Sequence, residues 1–276
     1  MVRNGKGRPV NTLEQRITLT ELWNPPPAGN AHNAAIRADR ADRDEHWYGM
    51  DESTRLNLPS NGWPEGAERA AAQLCAADVA PVRAGRLVRE WDDEDGDDWD
   101  RERAEDELPA YSELRRRPTQ GHGGRIIDVV VELTASGGDS GDSLSWRTYC
   151  AVRICDALES AGYRVAITGV RRAESIWQRG SGGILQRVEI KRPEDTLDLG
   201  MVAAALSPAA YRWYLWCWQW AETRNTDGGV GSVEDYEPQP GELLIPKGVL
   251  DRYAAEEWLR RAAQSVEGAN EALAIE

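Results

Sequence analysis

The chain has no phenylalanine, only three histidines and only four cysteines. His32, His46 and His122 lie far in sequence from Cys75, Cys150, Cys155 and Cys217, and no Cys-x-x-Cys pair occurs. Zinc sites need tighter ligand spacing, so the cysteines read as buried free thiols. No run of about 18 apolar residues exists, which argues against a transmembrane helix. The basic start MVRNGKGRPV is followed by no apolar stretch, so no secretory signal is expected and the cytoplasm is the expected location. Phosphate cradles of the G-x-x-x-x-G-K-[ST] and strand-linked G-x-G-x-x-G types are missing. So is a G-x-S-x-G elbow, and with only His122 near any candidate site no Ser–His–Asp hydrolase is expected.

Basic charge is also scarce. The formal net charge is −14, which disfavours indiscriminate nucleic-acid binding. The excess is concentrated: residues 90–107 hold 12 acidic residues against Arg101 and Arg103, a net of −10. A local basic face elsewhere stays open, with Arg171, Arg172, Arg187, Lys191, Arg192 and Arg212 as its candidates. A calcium-loop reading of the acidic stretch places Asp93, Asp95, Gly96 and Glu102 at suitable positions. Its first ligand position falls on Trp91, which binds no metal, so a solvated acidic loop leading into a short helix is expected. In place of phenylalanine there are 12 tryptophans, large apolar groups whose N–H wants a partner.

Residues 1–59 are expected to form an irregular extension, because the prolines of NPPPAGNAHN break any helix through 24–33. A helix over 60–77 follows, started at Pro64. An α/β domain is expected over 60–266, with the acidic loop 90–107 inserted before its sheet and a tail at 267–276. RIIDVVVELTAS (125–136) is nearly continuous in apolar residues, as in a strand buried on both faces of a parallel sheet. The helix at 144–162, capped by Asp142 or Ser143, and the strand YRVAITGV (163–170) complete a βαβ unit. Further strands are expected at 184–192 and 242–246. Further helices are expected at 197–207 (capped by Asp198), 208–222 and 249–266. The resulting architecture is three-layer, Rossmann-like α/β, with a mostly parallel sheet of four or five strands.

Two sets of residues stand out. Glu132, Thr134 and Ser136 lie at the carboxyl end of the first core strand, where open α/β sheets bind ligands. With Asp195 and Thr196 they offer oxygen ligands for Mg²⁺ or Ca²⁺. The Glu-x-Thr-x-Ser pattern resembles the D-x-S-x-S ion motif of von Willebrand factor A-type domains, with a longer carboxylate. The second set is Trp213, Trp216 and Trp220, spaced i, i+3 and i+7 on one helix face. A helix this apolar is either buried or covers a protein partner.

Several blocks in order carry a family resemblance. They are NGWPEG, WDDEDG leading to ELPAY, RIIDVVVELTAS, ICDALESAGYRVAI and VEIKRPEDTLDLGMVAAALSPAAYRW. Together they resemble an uncharacterised family of tailed-phage and prophage proteins of actinobacterial phages, over roughly residues 47–222. The most specific block comprises Asp195, Leu197, Asp198, Ala203, Ala205, Leu206, Pro208, Ala209 and Arg212. The resemblance implies a phage or prophage origin and an α/β fold with von Willebrand factor A-like features. It implies no activity, cofactor or catalytic residue. The expected function is a non-enzymatic protein-binding adaptor. The alternatives are a divalent-metal site at Glu132 and an accessory role in phage DNA replication or transcription through the basic face.

Overall fold

The computed structural model describes residues 13–26, 44–74, 86–92, 98–106, 108–117, 126–174, 183–223, 236–239 and 241–274. Its strands are β1 (Leu13–Thr18), β2 (Arg86–Asp92), β3 (Asp98–Trp99), β4 (Tyr111–Arg117), β5 (Ile126–Glu132), β6 (Arg164–Glu174), β7 (Gly183–Lys191) and β8 (Glu242–Ile245). A five-stranded sheet runs β1-β7-β6-β5-β8, and a three-stranded sheet runs β2-β4-β3. In the larger sheet β5 pairs parallel with β6 (Val129 opposite Ile167) and with β8 (Val130 opposite Leu244). β1 pairs parallel with β7, and β6 with β7 is antiparallel. The mostly parallel α/β sheet is therefore as expected, and β5 is an interior strand. β6 continues to Glu174, beyond the strand expected to end at 170, so that it forms a long antiparallel pair with β7.

The helices are α1 (Leu19–Leu22), α2 (Asp44–Tyr48), α3 (Glu52–Asn61), α4 (Pro64–Gln73), α5 (Arg101–Glu105), α6 (Gly141–Ser160), α7 (Leu199–Ala205), α8 (Trp216–Thr223) and α9 (Arg252–Ala274). A π-helical turn, Ala210–Leu215, leads into α8. Local chemistry sets their ends. Ser140 accepts from the Ser143 N–H at 3.1 Å and starts α6 ahead of the expected caps. Asp198 accepts from the Met201 N–H at 2.9 Å and starts α7 as expected. α4 begins with Pro64 at its first turn, where a missing N–H costs no bond. Gly62, at φ 65°, ends α3, and a Cβ there would stand 2.9 Å from the Gly200 carbonyl carbon. The NGWPEG block thus seats α3 and α4 against the start of α7, where the Trp63 N–H donates to Gly200 O at 2.8 Å.

The main core lies between one face of the large sheet and the helices. Val129, Val131, Val165, Ile167 and Val188 meet Ile154, Leu158, Leu215 and Leu259 there. On the other face Val130 and Val170 are covered by Tyr236, with Leu185 and Leu244 beside them. Glu14, Arg16, Asp128 and Glu189 on that face are exposed. The three-layer expectation is therefore corrected to two layers among the described residues. The outer strands alternate polar and apolar residues, so their second face needs no helix above it.

Three further expectations are revised. Residues 13–22 and 44–59 are no irregular extension: β1 is an edge strand of the main sheet, and Ile17, Leu22, Tyr48 and Leu58 are core residues. The segment 267–274 is the end of α9 rather than a tail. The acidic stretch is a loop only in part, because Arg86–Asp92 and Asp98–Trp99 flank β4 in the small antiparallel sheet, with α5 following. Asp93, Asp95 and Gly96 of the calcium-loop reading lie outside the described residues.

Cys150, Cys155 and Cys217 are buried free thiols, and Cys75 lies outside the described residues. Burial pushes all three thiols up, Cys217 to about 12. Thiolates are the reactive form, so these three should stay unlabelled by iodoacetamide in the native protein at pH 8 and label fully in denaturant. Peptide mass spectrometry reads this out, and rapid native labelling of Cys150 or Cys155 would contradict the packing of α6. Among the described residues no helix is long and apolar enough to cross a membrane.

Candidate functional site

The carboxyl end of β5 is built around guanidinium groups. Arg147, one turn and a half into α6, donates Nη1 to Glu132 O at 2.5 Å and to Thr134 O at 2.7 Å. Tyr211 Oη and the Ala135 N–H meet at 3.3 Å. Arg212 donates Nη2 to Asp139 O at 2.7 Å and to Ser136 O at 3.3 Å, and Nη1 to Trp47 O. Its guanidinium lies 3.7 Å from the Trp47 ring centroid. Burial pushes the Arg147 guanidinium down to about 10, while Tyr211, Glu132 and Asp139 pull the other way. Arg171 and Arg212 are also lowered by burial. Tyr211 and Arg212 are consecutive in the π-helical turn, an irregularity that gathers at functional sites.

A polar row runs beneath that turn. In register across three strands, Arg171 donates to Gln186 Oε1 at 2.7 Å and Gln186 Nε2 donates to Gln15 Oε1 at 2.8 Å. Gln186 Nε2 also reaches Leu215 O at 3.3 Å. The buried Arg171 charge is thus spread over amides rather than met by a carboxylate in this row.

The five residues expected to hold a cation do not fit one. Glu132 Oε2 accepts from the Lys247 N–H at 3.1 Å, just beyond β8. Thr134 Oγ1 accepts from the Arg172 N–H at 3.1 Å, in β6. These partners lie on opposite sides of β5, so carboxylate and hydroxyl turn apart. Ser136 Oγ accepts from the Gly138 N–H at 3.2 Å, inside its own turn. Asp195 is clasped by Arg192 at 2.9 Å, and Thr196 is exposed beside it. The Arg147 cation already occupies the strand end and would repel a second one. Among the described residues no three His, Cys, Asp or Glu form a metal-binding group.

The other candidates are dispersed. Trp213 is half-buried, edge-on to Tyr48 at 6.1 Å between ring centroids, with the Arg55 guanidinium 4.6 Å from its ring. Trp216 is half-buried, and the Trp220 side chain lies outside the described residues. The six basic residues do not gather on one face. Arg171, Arg212 and Lys191 are buried, and Lys191 meets Glu159 at 2.8 Å. Arg187 donates to Tyr236 Oη at 2.6 Å, and Arg192 is held by Asp195.

Sequence reasoning missed one exposed aromatic pair. In the small sheet Trp99 stands directly opposite Tyr111, and residues directly opposite in an antiparallel pair present their side chains on one face. Trp99 is 53% exposed, Tyr111 36%, and Leu108 in the same connection 48%. The unit is held together from within. Asp100 N–H donates to Ala110 O at 2.9 Å, Asp100 accepts from the Arg103 N–H at 3.2 Å, and Arg103 Nε donates to Pro109 O at 2.9 Å. The sequence signal was present in Trp99 and Tyr111 themselves, but nothing local showed that they pair. Elsewhere a polar cleft of about 680 Å³ is lined by Glu45, Asp51, Glu65 and Asp142 with Arg69 and Trp63. There the Asp51 carboxylate caps α3, accepting from the Thr54 N–H at 2.7 Å.

A family model described as a domain of unknown function, DUF7192, matches residues 18–272. No curated protein and no solved structure matches the chain.

Proposed function

The chain belongs to the DUF7192 family, and from that premise we propose that it is a non-enzymatic protein-binding adaptor on an α/β scaffold. The observation that carries the reading is the exposed pair of Trp99 and Tyr111, opposite each other on the small sheet, with Leu108 nearby. Trp and Tyr dominate the energetic centres of protein interfaces, because each buries a large rigid surface at little entropic cost. A short two-strand connection closed by Arg103 and Asp100 presents them already ordered, which lowers the cost of binding. The von Willebrand factor A-like kinship and the phage or prophage origin belong to the same proposal. What supports them is the set of sequence blocks named above and the parallel β6-β5-β8 core.

The test places a photo-crosslinking amino acid at Trp99 and, as a control, at Tyr253, which is exposed but lies on α9. In lysate of the source cells, position 99 should give one discrete adduct that Leu108→Ala diminishes, and position 253 should not give it. Identical adduct patterns at both positions would remove the adaptor reading from this surface.

A further inference from the structure

We infer that the partner of the Trp99–Tyr111 surface is a basic polypeptide segment with apolar anchors, a Lys- or Arg-rich stretch interrupted by Leu or aromatic residues. The inference rests on the adaptor reading and names its ligand. Its ground is charge. Trp99 lies inside residues 90–107, which hold 12 acidic residues against Arg101 and Arg103, and its partner Tyr111 follows four residues beyond that stretch. With both arginines counted, the stretch keeps a net of −10, and each arginine is engaged locally. Arg101 is spent on Glu105 at 2.8 Å, and Arg103 is turned back to Pro109 O. Asp98, beside Trp99 in sequence, and Glu105 and Asp106, in the connection to β4, are exposed.

Two ligand classes take an aromatic platform of this kind. Single-stranded nucleic acid stacks bases on Trp and Tyr, but it needs cationic groups to neutralise its phosphates. The stretch 90–107 carries a net of −10, and with the arginines of the same sheet counted residues 86–117 hold 13 acidic against 7 basic residues, a net of −6 that still repels a polyanion. A basic peptide is attracted by the same field, which raises its encounter rate, and its apolar residues then cover Trp99 and Tyr111. The same negative field also rejects acidic partners.

The experiment uses the full-length chain and three fluorescent dodecapeptides, of alternating Lys and Leu, Glu and Leu, or Lys and Ser, titrated by anisotropy at low and physiological salt. The Lys–Leu peptide should bind most tightly, and about tenfold more weakly as salt rises and the Debye length shrinks. A variant carrying Asp93→Asn, Glu94→Gln, Glu105→Gln and Asp106→Asn should lose about tenfold in affinity and most of the salt dependence. Trp99→Ala and Tyr111→Ala should each weaken the Lys–Leu peptide, with thermal midpoints near the parent's. Leu108→Ala, outside the paired strands, gives the same readout if either substitution unsettles the small sheet. Equal binding of Lys–Leu and Glu–Leu would overturn the basic partner and leave the surface standing. Lys–Leu binding that none of the three apolar substitutions weakens would overturn the surface itself. No binding by any peptide would overturn the basic partner, with the crosslinking result at position 99 deciding the adaptor reading.

Discussion

Replacing Arg212 by alanine should lower the unfolding free energy by about 3–5 kcal/mol, the sum of three lost carbonyl partners and one cation–π contact. The side chain ties the π-helical turn to two other pieces of chain: α2 through Trp47 O, and the β5–α6 loop through Ser136 O and Asp139 O. All three accept from one planar fork, so the orphaned carbonyls have no common replacement. Arg212→Lys should recover less than half of the loss, because a single ammonium cannot span the fork's positions. Urea denaturation followed by tryptophan fluorescence measures both, with an unchanged slope showing that the loss is in stability. A loss below about 1 kcal/mol for the alanine variant would mean that solvent serves these carbonyls equally well.

The second large effect is expected at Gly141, the first residue of α6. In an open helical turn, Gly→Ala stabilises by up to about 1 kcal/mol. Here the sign should reverse. A Cβ at Gly141 would stand 2.2 Å from Gly49 N, 2.6 Å from Gly49 Cα and 2.8 Å from the Tyr48 carbonyl carbon. These are backbone atoms of the α2–α3 turn, and Gly49 itself holds φ 71°, so neither side can give way by a rotamer change. Gly141→Ala should therefore cost about 3 kcal/mol or more, as overpacking does where backbone must move. Gly137→Ala is the control, since a Cβ there meets nothing within 4 Å. Its effect should stay within about 0.5 kcal/mol. Equal thermal midpoints for the two variants would refute the close approach of α2 to α6.

Arg212 belongs to the most specific of the family-like blocks, whose other residues also have structural roles. Asp198 in the most specific block caps α7, Asp195 closes the turn that follows β7, and Ala203, Ala205 and Ala209 are fully packed. Arg212 is the clamp just described. Each of these roles is structural, and none of them touches the exposed Trp99–Tyr111 pair.

The amino-acid sequence by itself determined the elements whose signals are local. The apolar run of β5, the amphipathic length of α6, the Asp198 cap and the parallel β5–α6–β6 unit follow from side chains within a few residues of one another. The sequence also fixed where the negative charge lies. Only the tertiary structure decided which residues share a surface. β1 is short, polar on alternate positions and preceded by nothing that marks a sheet, yet the open edge of β7 gives it a parallel partner and a place in the core. Glu132 and Thr134 are two apart on one strand, and spacing alone puts them on one ligand site. Their hydrogen bonds to β6 on one side and the end of β8 on the other separate them, and Arg147 from a helix 15 residues away in sequence takes the strand end. The Trp-bearing helix spends Trp213 on Tyr48 and Arg55, while Trp99 is exposed on the small sheet, paired with Tyr111 across the connection that holds α5. Periodicity reports which face of an element is apolar, and the neighbour that covers that face is set by pairings between distant segments.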